Sequence, residues 1–216
     1  MRTVDLVTYY SKRAAEYEAI YQKPERQSDL RELEKVLGED FRGGNVLEIA
    51  CGTGYWTERV AAVANSILAL DINESVLEIA RQKKIPPGKV EFALGDSYGL
   101  PTFHRKFNRG LAGFWWSHVP RKRQAEFLRN FLLNFERGSL ICFFDNRYVE
   151  GSSTPISRRD SDGNTYQLRK LADGSQSEVL KNFFTASELM ESFRLVAPAC
   201  EIIELSYYWY TRLRVQ

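Results

Sequence analysis

Val46-Leu47-Glu48-Ile49-Ala50-Cys51-Gly52-Thr53-Gly54-Tyr55-Trp56-Thr57 runs from an apolar strand through a glycine turn into a helix. Glycine at such a turn lets the backbone reverse tightly and approach a ligand closely. The dinucleotide pattern GxGxxG needs a third glycine, and Thr57 stands in its place. The loop is therefore a poor match to a pyrophosphate, and no GxxxxGK follows.

Outward from this run the chain alternates. Residues 46–50, 66–72, 90–94, 107–114 and 139–144 read as strands, and 55–64, 74–83 and 121–135 as helices, the last with Leu128, Phe131, Leu132 and Phe135 inward. Nearly continuous apolar strands alternating with helices predict a parallel sheet covered on both faces. Upstream, 12–22 reads as a helix ended by Pro24. A second helix starts at Ser28, carries Leu30, Leu33 and Leu37, and has Gly38 in the C′ position. Downstream, 150–164 reads as an exposed polar loop. Residues 165–171 and 178–184 flank Asp173-Gly174 and predict a β-hairpin. Thr185 and Glu188 form a capping box for a helix to 193. Residues 200–205 and 207–215 close the chain as strands.

Composition narrows the classes. The chain has 216 residues, 44% hydrophobic and 27% charged, which is ordinary for one globular domain. A net charge of +2 is too balanced to argue for nucleic acid or an anionic membrane surface. Arg121-Lys122-Arg123 and Arg158-Arg159 accordingly read as solvated faces. No apolar run has the length of a membrane span, and the N-terminus lacks the pattern of a secretory signal. Cys51, Cys142 and Cys200 form neither a disulfide framework nor a zinc pattern, and read as buried free thiols in a reducing compartment, the cytoplasm.

Two further stretches bear on chemistry. Asp71, in Ala69-Leu70-Asp71-Ile72-Asn73, ends the second strand about 20 residues after the glycine turn, where a carboxylate accepts both hydroxyls of a ribose. Gly95-Asp96-Ser97 follows the third strand and suits a polar contact to an adenine edge, with Ser97 or Tyr98 beside it. ExxCGTG, LDI and GD at these spacings resemble the class I S-adenosylmethionine-dependent methyltransferases. The resemblance implies S-adenosyl-L-methionine as cofactor and S-adenosyl-L-homocysteine as product. It places Glu48 and Ala50, Cys51, Gly52, Thr53 and Gly54 at the methionine end. Asp71 falls at the ribose, Ile72 on the adenine and Asp96 at its amino group. Tyr10, Trp56, Asn73, Gly95, Ser97 and Phe114 complete the expected cofactor set.

The resemblance also implies the architecture: a doubly wound, Rossmann-like α/β sheet of seven mostly parallel strands with an antiparallel terminal hairpin. Residues 1–44 form a helical lid, 45–147 and 185–216 the core, and 148–184 an inserted loop and hairpin that caps the substrate, all in a single domain. Nucleic-acid amino methylases carry an Asn/Asp-Pro-Pro-aromatic motif where this chain has Gly113-Phe114-Trp115-Trp116-Ser117-His118-Val119-Pro120. Metal-assisted catechol methylases have an Asp after strand four. Here only the later Asp145-Asn146 matches, so no metal is expected.

A narrower likeness runs through Tyr9-Tyr10, Arg13-Ala14, Glu16-Tyr17, GTGYWT, His118-Val119-Pro120, Leu171-x-Asp173-Gly174 and Lys181-x-Phe183. It resembles phosphonate O-methyltransferases of the dehydrophos type, in which basic side chains of the inserted hairpin hold the anion. The matching positions are Arg169 and Lys181, which suits an anion in a dry pocket. A two-residue Asp-Gly loop puts them on opposite faces of the hairpin and a three-residue loop puts them together. An ordinary cross-strand role, with Arg169 near Glu178, stays open.

Tyr10 and Tyr17 read as lid residues over the cleft, with Tyr21 and Trp115 as further substrate contacts and one of Trp115 and Trp116 in the core. His118 and Tyr17 are the candidate catalytic groups. The function expected is O-methylation of a small anionic acceptor, a phosphonate or carboxylate, without nucleic acid or membrane partners, by a monomer or homodimer. Methylation of an amine, sulfur or hydroxyl, an RNA or protein acceptor, and a non-catalytic cofactor-binding partner protein remain open.

Overall fold

The computed structural model describes residues 6–170, 174–194, 197 and 199–216. Strands β1 (Asn45–Ile49), β2 (Ser66–Asp71), β3 (Val90–Leu94), β4 (Phe107–Gly113), β5 (Phe135–Asn146), β9 (Cys200–Glu204) and β10 (Tyr208–Arg214) form one seven-stranded sheet in the order β3-β2-β1-β4-β5-β10-β9. Its first five strands pair parallel, and β10 runs antiparallel to both β5 and β9. The chain leaves β1 toward β2 on one side and returns to β4 on the other. That reversal opens a crevice beyond the strand C-termini, where ligands bind in open α/β sheets.

Alternation along the central strands divides the core. Val46, Leu111, Cys142 and Phe144 face α2 (Gln27–Asp40) and α3 (Tyr55–Ala61), while Leu47, Ile49, Ile141 and Phe143 face α5 (Gln124–Leu132) and α6 (Ala186–Arg194). Both faces are dry, which is why these strands lack the polar alternation of a half-exposed sheet. The remaining helices are α1 (Leu6–Arg13) and α4 (Glu74–Ala80).

Several boundaries differ from the sequence reading. The N-terminal helix begins at Leu6 and tightens to a 3₁₀ helix over Ala14–Gln22. Helix α2 runs through Gly38 to Asp40, so Gly38 is not its stop. Leu37 and Phe41 are buried on either side of it, and their packing outweighs the roughly 1 kcal/mol that an internal glycine costs. Helix α2, expected within the lid, packs into the core layer through Leu30, Leu33, Val36 and Leu37. Phe135 opens β5, opposite Phe107, instead of ending α5. Cys51 and Cys142 are buried free thiols as expected, but Cys200 is partly exposed.

The insertion is larger than a hairpin. Within the stretch read as a loop, β6 (Ile156–Arg159) pairs with β7 (Thr165–Lys170), which pairs with β8 (Gln176–Leu180) in a three-stranded antiparallel sheet. Asp173 of the expected turn lies outside the described residues, while Gly174 sits at φ 81°. Lys170 opposes Gln176 and Arg169 opposes Ser177. This register puts Arg169 on the same face as Ser177 and Lys181. The capping box at Thr185 is present, with Glu188 Oε2 accepting from the Thr185 amide at 2.8 Å and Thr185 Oγ1 accepting from the Glu188 amide at 3.2 Å.

Candidate active site

The turn after β1 is built by backbone conformations that side chains resist. Gly52 and Gly54 have φ of 56° and 75°, and a Cβ on Gly54 would lie 3.0 Å from Ala80 Cβ, so glycine lets α3 start close against α4. Ala50 and Phe114, at the ends of β1 and β4, also adopt positive φ, 51° and 57°. Non-glycine residues held there concentrate at functional sites.

Beyond these strand ends lies a cavity of about 270 Å³ lined by Tyr10, Tyr17, Ala50, Gly52, Thr53, Asp71, Ile72, Asn73, Asp96, Ser97 and Phe114, all foreseen from the sequence. Asp71 Oδ2 accepts from the Gly52 amide at 2.9 Å and Oδ1 from the Asn73 amide at 2.9 Å, so the second strand's carboxylate fixes the first strand's turn. Burial nonetheless raises its pKa against these bonds. A smaller space beside it is lined by Glu48, Cys51, Trp56 and Tyr21 among others. Glu48 is buried, its Oε2 has no hydrogen-bond partner among the described residues, and burial pushes its pKa up to about 8. An ammonium group arriving there meets an acceptor in want of a donor. With the ribose-type carboxylate at Asp71 and the half-exposed Ile72, these residues fit S-adenosylmethionine.

Gly54 and Gly95 line neither space; each serves close packing, Gly95 against Leu70. Trp56 donates to the Tyr21 hydroxyl at 3.2 Å, and Tyr21 stacks on Tyr55 at 3.9 Å. Tyr21 therefore sits in the core beside the glycine turn and does not line the larger basic cavity. Trp115 lines the first cavity beside Tyr98, whereas Trp116 is fully buried against Phe193. Tyr98 and Val76 also line the first cavity.

A second cavity of about 280 Å³ adjoins the first and shares Tyr10, Tyr17, Phe114 and His118 with it. Its wall carries Arg13, Lys23, Arg26, Arg169, Lys170 and Lys181, and no carboxylate among the described lining residues. Arg169 donates to Gln167 Oε1 at 2.8 Å, while Glu178 is taken by Arg158. Lys181 Nζ donates to Ser117 Oγ at 2.6 Å and Asp145 Oδ1 at 2.8 Å. Asp145 is fully buried and also accepts from the Ser117 and Asn146 amides at 2.9 and 2.7 Å. Burial would raise its carboxyl, but the Lys181 ammonium, with the hydrogen bonds from Lys181 and Ser117, outweighs that and holds it below the ordinary carboxylate range.

At the junction of the cavities His118 Nδ1 donates a hydrogen bond to the Leu180 carbonyl at 2.7 Å, which leaves Nε2 to accept from the Tyr10 hydroxyl at 2.8 Å. Burial, with Lys181 beside it, lowers the His118 pKa well below its usual value. The imidazole is neutral and its one lone pair is engaged. Burial raises the Tyr17 phenol well above its usual range, so it stays protonated. Tyr9 packs on Val179 and accepts from Arg13 at 2.9 Å. The segment before α2 is also fastened by Glu18, which accepts from Thr53 Oγ1 at 2.7 Å and from Lys83 at 2.6 Å.

Neutral His118 links stability to pH. Its folded pKa lies below its unfolded one, so the unfolded chain binds the extra proton and stability falls as pH drops below about 6.5. Between pH 7.5 and 5.5 the wild type is expected to lose about 1.4 kcal/mol more unfolding free energy than His118→Gln. Urea unfolding at both pH values checks this; parallel losses in the two proteins would refute it.

The basic runs are engaged in local contacts. Arg121 pairs with Glu188, Lys122 with Asp162 and Arg158 with Glu178, and Arg123 lies 3.8 Å over the Tyr98 ring. No helix among the described residues is long and apolar enough to cross a membrane.

Comparison with known proteins agrees with the geometry. Residues 46–134 match the methyltransferase domain family Methyltransf_25. The demethylmenaquinone methyltransferase of Clavibacter sepedonicus is 33% identical over 139 residues, which are 63% of this chain and 52% of that protein. The curated relatives are matched over only 34% to 52% of their length. Among solved structures, the DhpI–SAH complex superposes with a TM-score of 0.79 at 27% identity, covering 97% of this chain and 94% of DhpI. The DhpI–SAM–HEP complex gives the same score and identity over 98% and 100%. With its glycine turn, Asp71 and Asp96 gathered at one crevice, the chain carries a methyltransferase domain over residues 46–134 and resembles the class I S-adenosylmethionine-dependent methyltransferases.

Proposed function

We propose that the protein transfers a methyl group from S-adenosylmethionine to an oxygen of a small anionic acceptor, a phosphonate or carboxylate. The observation that carries this reading is the second cavity, which has six cationic side chains and no carboxylate among its described lining residues and adjoins the first cavity. An acid entering there loses water and gains charge-assisted hydrogen bonds, with Arg169 offering a bidentate fork. The likeness to DhpI, held with SAM and HEP together, supports a site that takes a second group along with the cofactor.

Bound S-adenosylmethionine supplies an electrophilic sulfonium methyl. The acid oxygen contributes the electron pair of the new O–CH₃ bond as the S–CH₃ bond breaks and its pair returns to sulfur. An ionised acid has no proton to lose, so no base is required. That fits a junction where the His118 lone pair is held by Tyr10 and Tyr17 remains a phenol. Tyr10, Tyr17, Phe114 and His118 together orient the two reactants and exclude water. An amine or phenol acceptor would need a free base, which this arrangement does not offer.

The test is release of S-adenosylhomocysteine on a panel of small phosphonates, carboxylates, amines, phenols and bulk tRNA, with Arg169→Gln alongside. Turnover is expected on acids, with KM for them raised about 10- to 100-fold in the variant, the loss of one to two charged hydrogen bonds. Turnover confined to amines, phenols or tRNA would overturn the proposal.

A further inference from the structure

We infer that the acceptor carries two anionic groups: the acid that is methylated, and a second one a few bonds away, received by Arg26 with Lys23. The inference rests on reading the basic cavity as an acid site, and adds to it a second point of recognition.

Arg26 ends the 3₁₀ turn Pro24–Arg26 just before α2 and is only 7% exposed. Its Nη1 donates to Asn146 Oδ1 at 3.0 Å and its Nη2 to Ser152 Oγ at 3.0 Å, with the Ser152 carbonyl at 3.5 Å. The rings of Tyr207 and Tyr208 lie 5.3 and 5.6 Å from the guanidinium carbon. Nε has no partner, and no carboxylate pairs with Arg26 among the described residues. The nearby acids are otherwise engaged. Exposed Glu25 accepts from the Ser152 hydroxyl at 3.0 Å, and Asp29 accepts from the Tyr207 amide at 2.6 Å. Every hydrogen-bond acceptor around this buried guanidinium is therefore neutral.

A buried cation held by amide and hydroxyl oxygens alone is incompletely compensated. An entering anion is the missing counter-charge. Lys23, whose Nζ donates to the Ser152 carbonyl at 3.1 Å, lines the same cavity. Geometry also limits the span. Asn146, the partner of Arg26, donates through Nδ2 to Asp145 Oδ1 at 3.2 Å, and that same oxygen holds Lys181. The two cationic ends thus flank one Asp145–Asn146 pair. A one-headed acid meets one end; a short diacid meets both.

Propylphosphonate and 3-phosphonopropionate have the same reach and differ by a terminal carboxylate, so their methylation by wild type, Arg26→Gln and Arg26→Lys tests the inference. Wild type is expected to favour the two-headed acid at least 30-fold in kcat/KM, mainly through KM. Arg26→Gln should raise KM for it at least tenfold more than for propylphosphonate, and Arg26→Lys should restore part of the preference. Equal losses on both acids would make Arg26 a staple for the segment around Ser152 and overturn the inference, as would a wild type without preference. Methylation of amines or phenols with neither acid accepted would show instead that the acid reading had failed, and the inference with it.

Discussion

Lys181→Met is expected to unfold about 3–5 kcal/mol more easily than the wild type, besides losing acid turnover. The ammonium is the only cation bonded to Asp145 among the described contacts, and the two side chains are 5% and 0% exposed. Without it, Asp145 keeps its amide donors but stays an uncompensated charge in a dry core. For a chain of this size each kcal/mol moves the thermal midpoint by about 2–4 °C, so a fall of roughly 10 °C is expected. The carboxyl has a lowered pKa, so its contribution is complete above the unfolded carboxylate range and disappears only as pH falls below it.

Lost activity in that variant alone would therefore not reveal an anion clamp. Lys181→Met/Asp145→Asn separates the two roles. Removing both charges should recover most of the stability, while the acid KM stays raised. A single variant as stable as the wild type would refute the structural role, and a double variant with normal acid kinetics would refute the binding role.

The same pair shows where sequence reading stops. The glycine turn, Asp71 and Asp96 were legible because each belongs to a local strand–turn–helix unit, and the parallel sheet then gathers the strand ends without further information. Arg169 and Lys181 were legible as charges but not as neighbours. Their common face depends on the number of residues in the turn, which Asp173-Gly174 leaves open and the Arg169–Ser177 register decides. Arg26 carried no signal, since its partners Asn146 and Ser152 lie 120 and 126 residues away. The strand β6 was hidden for a related reason: Ile156–Arg159 is mostly exposed and polar, and is a strand only because β7 offers it an edge. Gly38 misled in the opposite direction, since a local stop signal was overruled by tertiary burial.

Asp71→Ala should bind S-adenosylhomocysteine about 100-fold more weakly than the wild type. The carboxylate is 8% exposed and lines the first cavity, and on the proposed reading it accepts from the two hydroxyls of the ribose, so its removal forfeits charged hydrogen bonds of about 1.5–3 kcal/mol each. It also frees the Gly52 and Asn73 amides that Asp71 now fixes, which loosens the turn beneath the methionine end. Asp71→Asn keeps the shape and one acceptor oxygen, and should lose about tenfold. Titration calorimetry measures both, and unfolding with and without ligand gives an independent reading. At a concentration one hundred times the wild-type Kd, ligand adds about 2.7 kcal/mol to wild-type stability. The same concentration only matches the Kd expected of Asp71→Ala, and its gain shrinks to about 0.4 kcal/mol. Lys181→Met/Asp145→Asn should retain the full ligand gain, because its altered wall belongs to the acceptor cavity. Wild-type affinity in both Asp71 variants would remove Asp71 from the cofactor site and leave it a structural pin of the glycine turn.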